Sequence, residues 1–384
     1  MADGTKIEWT DATWNPITGC AVVSPGCTNC YAMKLSGTRL KNHESRKGLT
    51  KDTKAGPVWT GEVRFNREWI DQPLRWTKPR MIFVCAHGDL FAEGVPDEWI
   101  DQVFAVMALC PQHTFQVLTK RPERMRTYLR QFDEYSIGEA EIFRDAEYRV
   151  QCDDGDASPS YARKTGQLED AIGLSLASIR KHGFLPNVWL GVSVEDQKRA
   201  DERIPILLDT PAAVRWISAE PLLGPVDLKA LREFNREGKP WIDALSGAVT
   251  SGGVPRSRSE CGINVSTSWE LPKLDWVVAG GESGPGARPM HPVWARQLRD
   301  QCAKAGVPFL FKQWGQNKPI DITVHDGASL ADDWDGTLIA AANGEFKTYS
   351  REPGRIIAML PVGKKAAGRL LDGIEHNGFP EVRR

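Results

Sequence analysis

The chain has no apolar run approaching the roughly 18 residues that a membrane-spanning helix requires. Its opening, Met1-Ala2-Asp3-Gly4-Thr5-Lys6, lacks the apolar centre of a secretory leader. Neither sign of charge is in excess: 49 Lys and Arg stand against 50 Asp and Glu, a formal net charge of −1. A uniformly basic, phosphate-tracking surface is thereby excluded, which leaves room only for local basic patches. A disulfide framework is also missing, because eight cysteines in 384 leaderless residues do not resemble the dense stapling of small secreted domains. No internal sequence repeat is present beyond an alternation of strand-like and helix-like text. These absences lead us to expect a cytoplasmic protein that makes no use of a membrane and is large enough to bury one big core or two smaller ones.

What the chain does have is concentrated near its start. Three cysteines fall within eleven residues, in Asn15-Pro16-Ile17-Thr18-Gly19-Cys20-Ala21-Val22-Val23-Ser24-Pro25-Gly26-Cys27-Thr28-Asn29-Cys30-Tyr31-Ala32. Pro16, Gly19, Pro25 and Gly26 break regular structure, so these cysteines belong to a loop that folds around something. Cys27 and Cys30 form a C-x2-C pair, a tight chelating unit for zinc or iron–sulfur. Three thiolates can hold three irons of a [4Fe–4S] cube and leave the fourth open to a substrate or cofactor. Fourteen tryptophans are many for this length, and most are expected to pack in the core.

Short apolar runs alternate with amphipathic stretches through most of the chain. Strands are expected at about 13–19, 81–85, 115–118, 188–192, 214–217, 275–279 and 308–311. Helices are expected from Pro96-Asp97, around Met125 to Phe132, and at about 196–209 and 292–305. The fold class is therefore α/β: a full or partial parallel β/α barrel, TIM-like, covering residues 1–315, with a doubly wound open sheet as the alternative. Residues 133–182, polar and acidic around Cys152, are expected to form a helical insertion or flap. Residues 238–272, with Thr250-Ser251-Gly252-Gly253-Val254-Pro255, read as a flexible loop, and residues 316–384 as a C-terminal extension.

In such barrels the C-terminal ends of the strands carry the active site. The residues that follow the apolar runs are accordingly candidates: His87 and Asp89, Lys120 and Arg121, Ser193 and Glu195, Ser218 and Glu220, Gly280-Gly281-Glu282-Ser283, and Lys312-Gln313-Trp314. Asp89, Lys120, Glu220 and Lys312 are the expected catalytic group. Lys120, Arg121, Arg288 and Lys312 suit a carboxylate or phosphate. Cys85, Cys110 and Cys302 lie on apolar faces and are expected in the core. Cys152 and Cys261, in irregular stretches, are weaker candidates as hydrogen-atom donors.

The cysteine loop resembles that of the radical S-adenosylmethionine (SAM) superfamily, whose usual spacing is C-x3-C-x2-C; here the first gap is six residues, while C-x2-C followed by Tyr31 is kept. The flanking N-P-x-x-G-C and C-Y-A resemble the motif in the spore photoproduct lyase group. The whole chain is similar to a phage-associated family with a three-cysteine motif, through Ile7-Glu8-Trp9-Thr10-Asp11-Ala12-Thr13-Trp14-Asn15-Pro16, Leu118-Thr119-Lys120-Arg121-Pro122, Ile217-Ser218-Ala219-Glu220-Pro221-Leu222-Leu223, Gly280-Gly281-Glu282-Ser283-Gly284 and Phe311-Lys312-Gln313-Trp314-Gly315.

This resemblance implies a partial barrel in which Cys20, Cys27 and Cys30 hold a [4Fe–4S] cluster and SAM binds the open iron. It further implies an external electron donor, reductive cleavage of SAM to a 5′-deoxyadenosyl radical, and hydrogen abstraction from a substrate such as a nucleotide or nucleic-acid base. By position, it implies Ser193 and Glu195 at the SAM ribose and Asp89 at its amine. It also implies that Gly280, Gly281, Glu282 and Ser283 lie against adenine or substrate, the glycines permitting close approach to a ligand.

Two other classes fit parts of the text. One is a zinc-braced nucleic-acid-binding protein without catalysis, with His43 as a fourth ligand. The other is a divalent-metal hydrolase or nuclease using Asp89, Glu195, Glu220 and Glu282.

Overall fold

The computed structural model describes residues 4–5, 7–141, 143–144, 159–232, 241–250, 271–322, 339–340, 347–352 and 355–381. Cys152, Cys261 and the stretch 251–259 lie outside the described residues, as do most of 238–272 and part of 133–182.

Seven parallel strands form the central sheet: β1 (Ala12–Trp14), β2 (Met81–Val84), β3 (Thr114–Thr119), β4 (Val188–Ser193), β5 (Val214–Ala219), β6 (Trp276–Gly280) and β7 (Phe309–Gln313). They lie in simple sequential order, β1 beside β2 through to β7. A doubly wound sheet would reverse its strand order partway, so the sequential order fits a single curled sheet instead. The sheet stays open, with β1 and β7 at its edges, and the architecture is a partial barrel of the TIM type.

The two faces of the sheet are filled differently, and the period-2 alternation of each strand decides how. Ile82, Val84, Phe115, Val117, Leu190, Val192, Ile217, Ala219, Val277, Ala279, Phe309 and Phe311 join the core beneath the helices. The alternate positions form a second, aromatic cluster of Trp189, Trp216, Trp276, Val278 and Leu310, which Trp9 completes. This is the inner face of the curl. Trp216 lies 5.2 Å from Trp9 and 5.3 Å from Trp276, centroid to centroid. Gly191 makes room for it, since a Cβ there would come within 2.5 Å of the Trp216 ring. The tryptophans thus plug the N-terminal half of the inner face and leave its C-terminal rim to polar residues.

Helices α1 (Tyr31–Gly37), α2 (Asp97–Ala108), α3 (Pro122–Gln131), α4 (Glu134–Gly138), α5 (Pro159–His182), α6 (Gln197–Leu208) and α7 (Pro292–Ala305) follow. Their ends carry local signals. Asp196 caps α6 by accepting from the Arg199 N–H at 3.0 Å. Pro292 opens α7, and Gly306, at φ +66°, closes it in the left-handed conformation.

The C-terminal extension is more ordered than short pieces of strand. β8 (Asn317–Ile322), β9 (Ile339–Ala340), β10 (Lys347–Glu352) and β11 (Arg355–Pro361) make an antiparallel sheet in the order β8-β11-β10-β9. The chain then returns along the outer edge of β7. Phe311 N–H donates to the His376 carbonyl at 3.0 Å, and Gly378 N–H to that of Phe309 at 2.9 Å. Among the described residues no helix is long and apolar enough to cross a membrane.

Candidate functional site

The cysteine loop leaves β1 at the C-terminal rim. Ile17–Thr18 pairs antiparallel with Arg64–Phe65, and Gly19 bridges to Gly88 just beyond β2. Gly19 has φ +96°, and a Cβ there would meet the Glu62 carbonyl at 2.2 Å, so only glycine fits. A short turn over Pro25–Cys27 follows, and Cys30 immediately precedes α1. Cys27 is buried, Cys20 and Cys30 are half-buried, and none is in a disulfide. Cys30 and Cys27 lie close enough to Cys20 to influence its ionisation. Burial pushes the Cys20 thiol up to about 12; neighbouring Asp89 adds to this, Arg121 opposes it, and Cys30 and Cys27 add smaller upward contributions.

Three ion pairs hold the loop to the rim, two of them buried on both sides. Arg121, from the end of β3, is 6% exposed and donates to Cys20 Sγ at 3.3 Å, to the Ala21 carbonyl at 2.9 Å and to Asp89 at 3.2 Å. Asp89 is fully engaged: it also accepts from the Thr119 hydroxyl at 2.7 Å and the Lys120 N–H at 3.1 Å. Glu195, after β4, is wholly buried beneath the loop. Its Oε1 accepts from the Ser24 hydroxyl at 2.5 Å and its Oε2 from Arg203 at 3.1 Å, with Lys120 Nζ at 3.9 Å. Gly26 packs onto this carboxylate so closely that a Cβ would stand 2.3 Å from Oε1.

Glu282, after β6, makes the third anchor. Arg288 donates to it from its backbone at 2.8 Å and its side chain at 2.6 Å, and Asn29 from within the loop at 2.9 Å. Arg288 also reaches the Pro25 carbonyl at 2.9 Å. Burial opposes ionisation of Glu282, but these donors outweigh it and hold the carboxyl below its usual range.

The inner face of the rim carries a fourth pair. Lys312, after the inward-facing Leu310 of β7, donates to both oxygens of Glu220 at 2.8 Å. Gln313 bridges Glu220 to the Ser283 hydroxyl, at 3.1 and 2.9 Å. Gly280 lies between Glu220 and Lys312, where a Cβ would be 3.4 Å from each. Gly281 differs from the expectation of a ligand-facing glycine: the Trp314 carbonyl is 2.0 Å from where its Cβ would be. Its small size serves the pairing of Gly281 and Glu282 with Gln313 to Gln316.

The candidate residues therefore separate by location. Asp89, Glu195, Glu282 and the cysteines form the loop seat. Glu220, Lys312, Gly280 and Ser283 line one patch of the inner rim. Lys120 and Ser193 share the inner-facing register of their strands, Ser193 buried and Lys120 half-buried. Cys85, Cys110 and Cys302 are buried in the core. His43 turns its Nδ1 to the Ser45 hydroxyl at 2.7 Å. Sequence reasoning missed Ser24, Asn29 and Arg203. Only Arg203 had a local signal, one charge on an otherwise apolar helix face beside Ile204 and Leu207.

Among the described residues, no three His, Cys, Asp or Glu side chains close on a single metal ion. A cube differs from that geometry by taking each thiolate on a separate iron. Three unbridged thiols on one loop, with Cys27 and Cys30 near Cys20, are a donor set of the kind such a cube needs.

A family model described as a protein of unknown function (DUF5131) matches residues 4–380. The chain belongs to the DUF5131 family. The DUF5131 match runs through the cysteine loop, all seven strands of the sheet and the segment that returns along β7. No curated protein and no solved structure matches the chain.

Proposed function

We propose that this chain is a cytoplasmic radical SAM enzyme in which Cys20, Cys27 and Cys30 hold a [4Fe–4S] cluster. The observation that carries the reading is the division of labour at the rim. Each candidate carboxylate has a cation partner: Asp89 with Arg121, which Glu93 shares, Glu195 with Arg203, Glu220 with Lys312 and Glu282 with Arg288. Among the described residues of the rim this leaves the thiols as the concentrated donor set, and thiolates select iron–sulfur over the hard divalent ions of a hydrolase.

The bound cluster and SAM would supply reductive C–S cleavage and a 5′-deoxyadenosyl radical that takes hydrogen from substrate. The protein's own residues bind, orient and shield. Arg121 places a hydrogen bond on Cys20 Sγ and sets its direction. Glu195 and Glu282, fixed by Arg203 and Arg288, prevent the loop from shifting. Ser193, Lys120, Glu220, Lys312 and Ser283 offer polar contacts on the inner rim for SAM and for a nucleotide or nucleic-acid base. The tryptophan floor excludes water from below. An external donor supplies the electron.

Anaerobic reconstitution with iron and sulfide, reduction, and EPR with and without SAM tests the reading. We expect a [4Fe–4S]⁺ signal that changes on adding SAM and is lost in Cys27→Ala. Stoichiometric zinc without a cluster would instead favour a zinc-braced binding protein. Substrate turnover that survives loss of all three cysteines would favour a hydrolase.

A further inference from the structure

Beside the cysteine loop, three side chains outside its anchors touch in sequence: Arg46, His87 and Tyr31. Arg46 is 3% exposed, and no carboxylate pairs with it among the described residues. Its Nη1 donates to the Ser45 carbonyl at 3.0 Å and hydroxyl at 2.8 Å, and its Nη2 lies 2.6 Å from His87 Nδ1. Its Nε has no partner, and the group sits 5.8 Å from the centre of the Trp69 ring.

A guanidinium only donates, so His87 Nδ1 must accept. The proton of the neutral ring is then on Nε2, which makes no hydrogen bond to a described residue. Burial, and after it the Arg46 charge, push the His87 pKa down to about 4, so the ring is neutral near pH 7. Tyr31 stands against it, ring centres 5.9 Å apart. Its hydroxyl is tied to the Ala86 carbonyl at 2.6 Å, while the residue as a whole is 54% exposed. The rim thus offers a fixed, exposed aromatic face next to a fixed N–H donor. Proteins hold planar heterocycles that carry an acceptor with this combination.

We infer that Tyr31 and His87 form a subsite for a carbonyl-bearing nucleobase. The base lies against the Tyr31 ring, and one carbonyl oxygen accepts from His87 Nε2–H. Arg46 is the positioning residue: it fixes the tautomer and polarises the Nε2–H bond through the ring. A carbonyl oxygen projects beyond the ring edge to meet that N–H, whereas adenine offers only ring nitrogens as acceptors, so the subsite favours an oxo-base over adenine. The inference deepens the proposed function and rests on it only for the fate of the bound base; binding itself needs no cluster.

The test uses the full iron-free chain, labelled with ¹⁵N-histidine, at pH 7. Signals of His87 are identified by their loss in His87→Phe. We expect Nδ1 unprotonated and Nε2 protonated, with the Nε2 signal shifting on uridine 5′-monophosphate and not on adenosine 5′-monophosphate. Calorimetry should show uridine 5′-monophosphate binding weakened roughly tenfold by His87→Phe, the scale of one hydrogen bond. A similar loss is expected in Tyr31→Ala, and mixed tautomers in Arg46→Gln. An unprotonated Nε2, or a doubly protonated ring, in the wild-type chain would overturn the donor. Equal response to the two nucleotides, or none, would overturn the ligand class. Where His87→Phe does not fold, loss of the same signals in His87→Gln identifies them, and the wild-type spectra then decide both points. A failed EPR experiment beside successful nucleotide binding would leave the subsite standing and sink only the radical reading.

Discussion

Gly26 and Glu195 show how single residues set the site. The carboxylate cannot retreat, because Ser24 and Arg203 hold its two oxygens and it has no exposure. Gly26→Ala must therefore displace the loop, and overpacking of this kind costs about 2 kcal/mol. We expect a lower urea midpoint and fewer irons retained per chain after reconstitution; wild-type values for both would show that the loop has slack. Asp101, between α2 and α3, is a separate case. Burial raises its pKa to about 6, the nearby Asp97, Glu98 and Asp133 charges add to this, and the Tyr128 hydroxyl at 2.7 Å opposes it. The folded value lies above the unfolded one, so the contribution to stability is full below about pH 4 and is lost as pH rises through about 6. Asp101→Asn keeps an acceptor for Tyr128 and removes the charge. Allowing for its partial exposure, it should stabilise the protein by about 1 kcal/mol at pH 8 and by nothing at pH 4, read from urea unfolding at the two pH values.

At the scale of elements, the cysteine loop owes its position to neighbours distant in sequence. Asn29 and Pro25 reach Glu282 and Arg288, more than 250 residues away. Arg288→Ala leaves the Glu282 carboxylate nearly buried with only Asn29 and the backbone N–H of residue 288 as donors. Breaking a buried pair costs 3–5 kcal/mol, and the half-exposed arginine brings the expectation to about 2 kcal/mol. Faster proteolysis within residues 20–30 should accompany it; an unchanged cleavage rate would mean that Arg121 and Glu195 suffice. The strands and the α2, α3, α6 and α7 helices were legible, because buried parallel strands are short apolar runs and their helices carry strong end signals. Arg121, Arg288 and Lys312 were legible as cations suited to a carboxylate, but which carboxylate each takes was not, since the pairings form only when folding brings the strand ends to one rim.

For the whole molecule, the returning C-terminal segment covers the β7 edge of the sheet. Gly378 accepts from the Trp276 indole at 2.7 Å, Phe379 packs on Trp276 at 5.1 Å, and Arg296 pairs with Asp372 at 2.9 Å. Truncation after Leu370 would expose the β7 edge together with apolar surface, a template for pairing between molecules. Light scattering should show concentration-dependent association of the shortened chain, whereas a stable monomer with the full-length urea midpoint would contradict this role.

The sequence by itself determined the elements and their alternation, because hydrophobic period and end signals are local properties of the chain. It also determined where the chemistry concentrates, since three cysteines among glycines and prolines need no tertiary context to be noticed. Only the tertiary structure decided that the sheet curls in sequential order, that tryptophans fill its lower half, and which cation each candidate carboxylate meets. It alone brought Arg46 to His87 and so fixed that ring's tautomer. Those outcomes depend on Coulomb and hydrogen-bond contacts a few ångströms long between residues tens or hundreds apart, which no local pattern records.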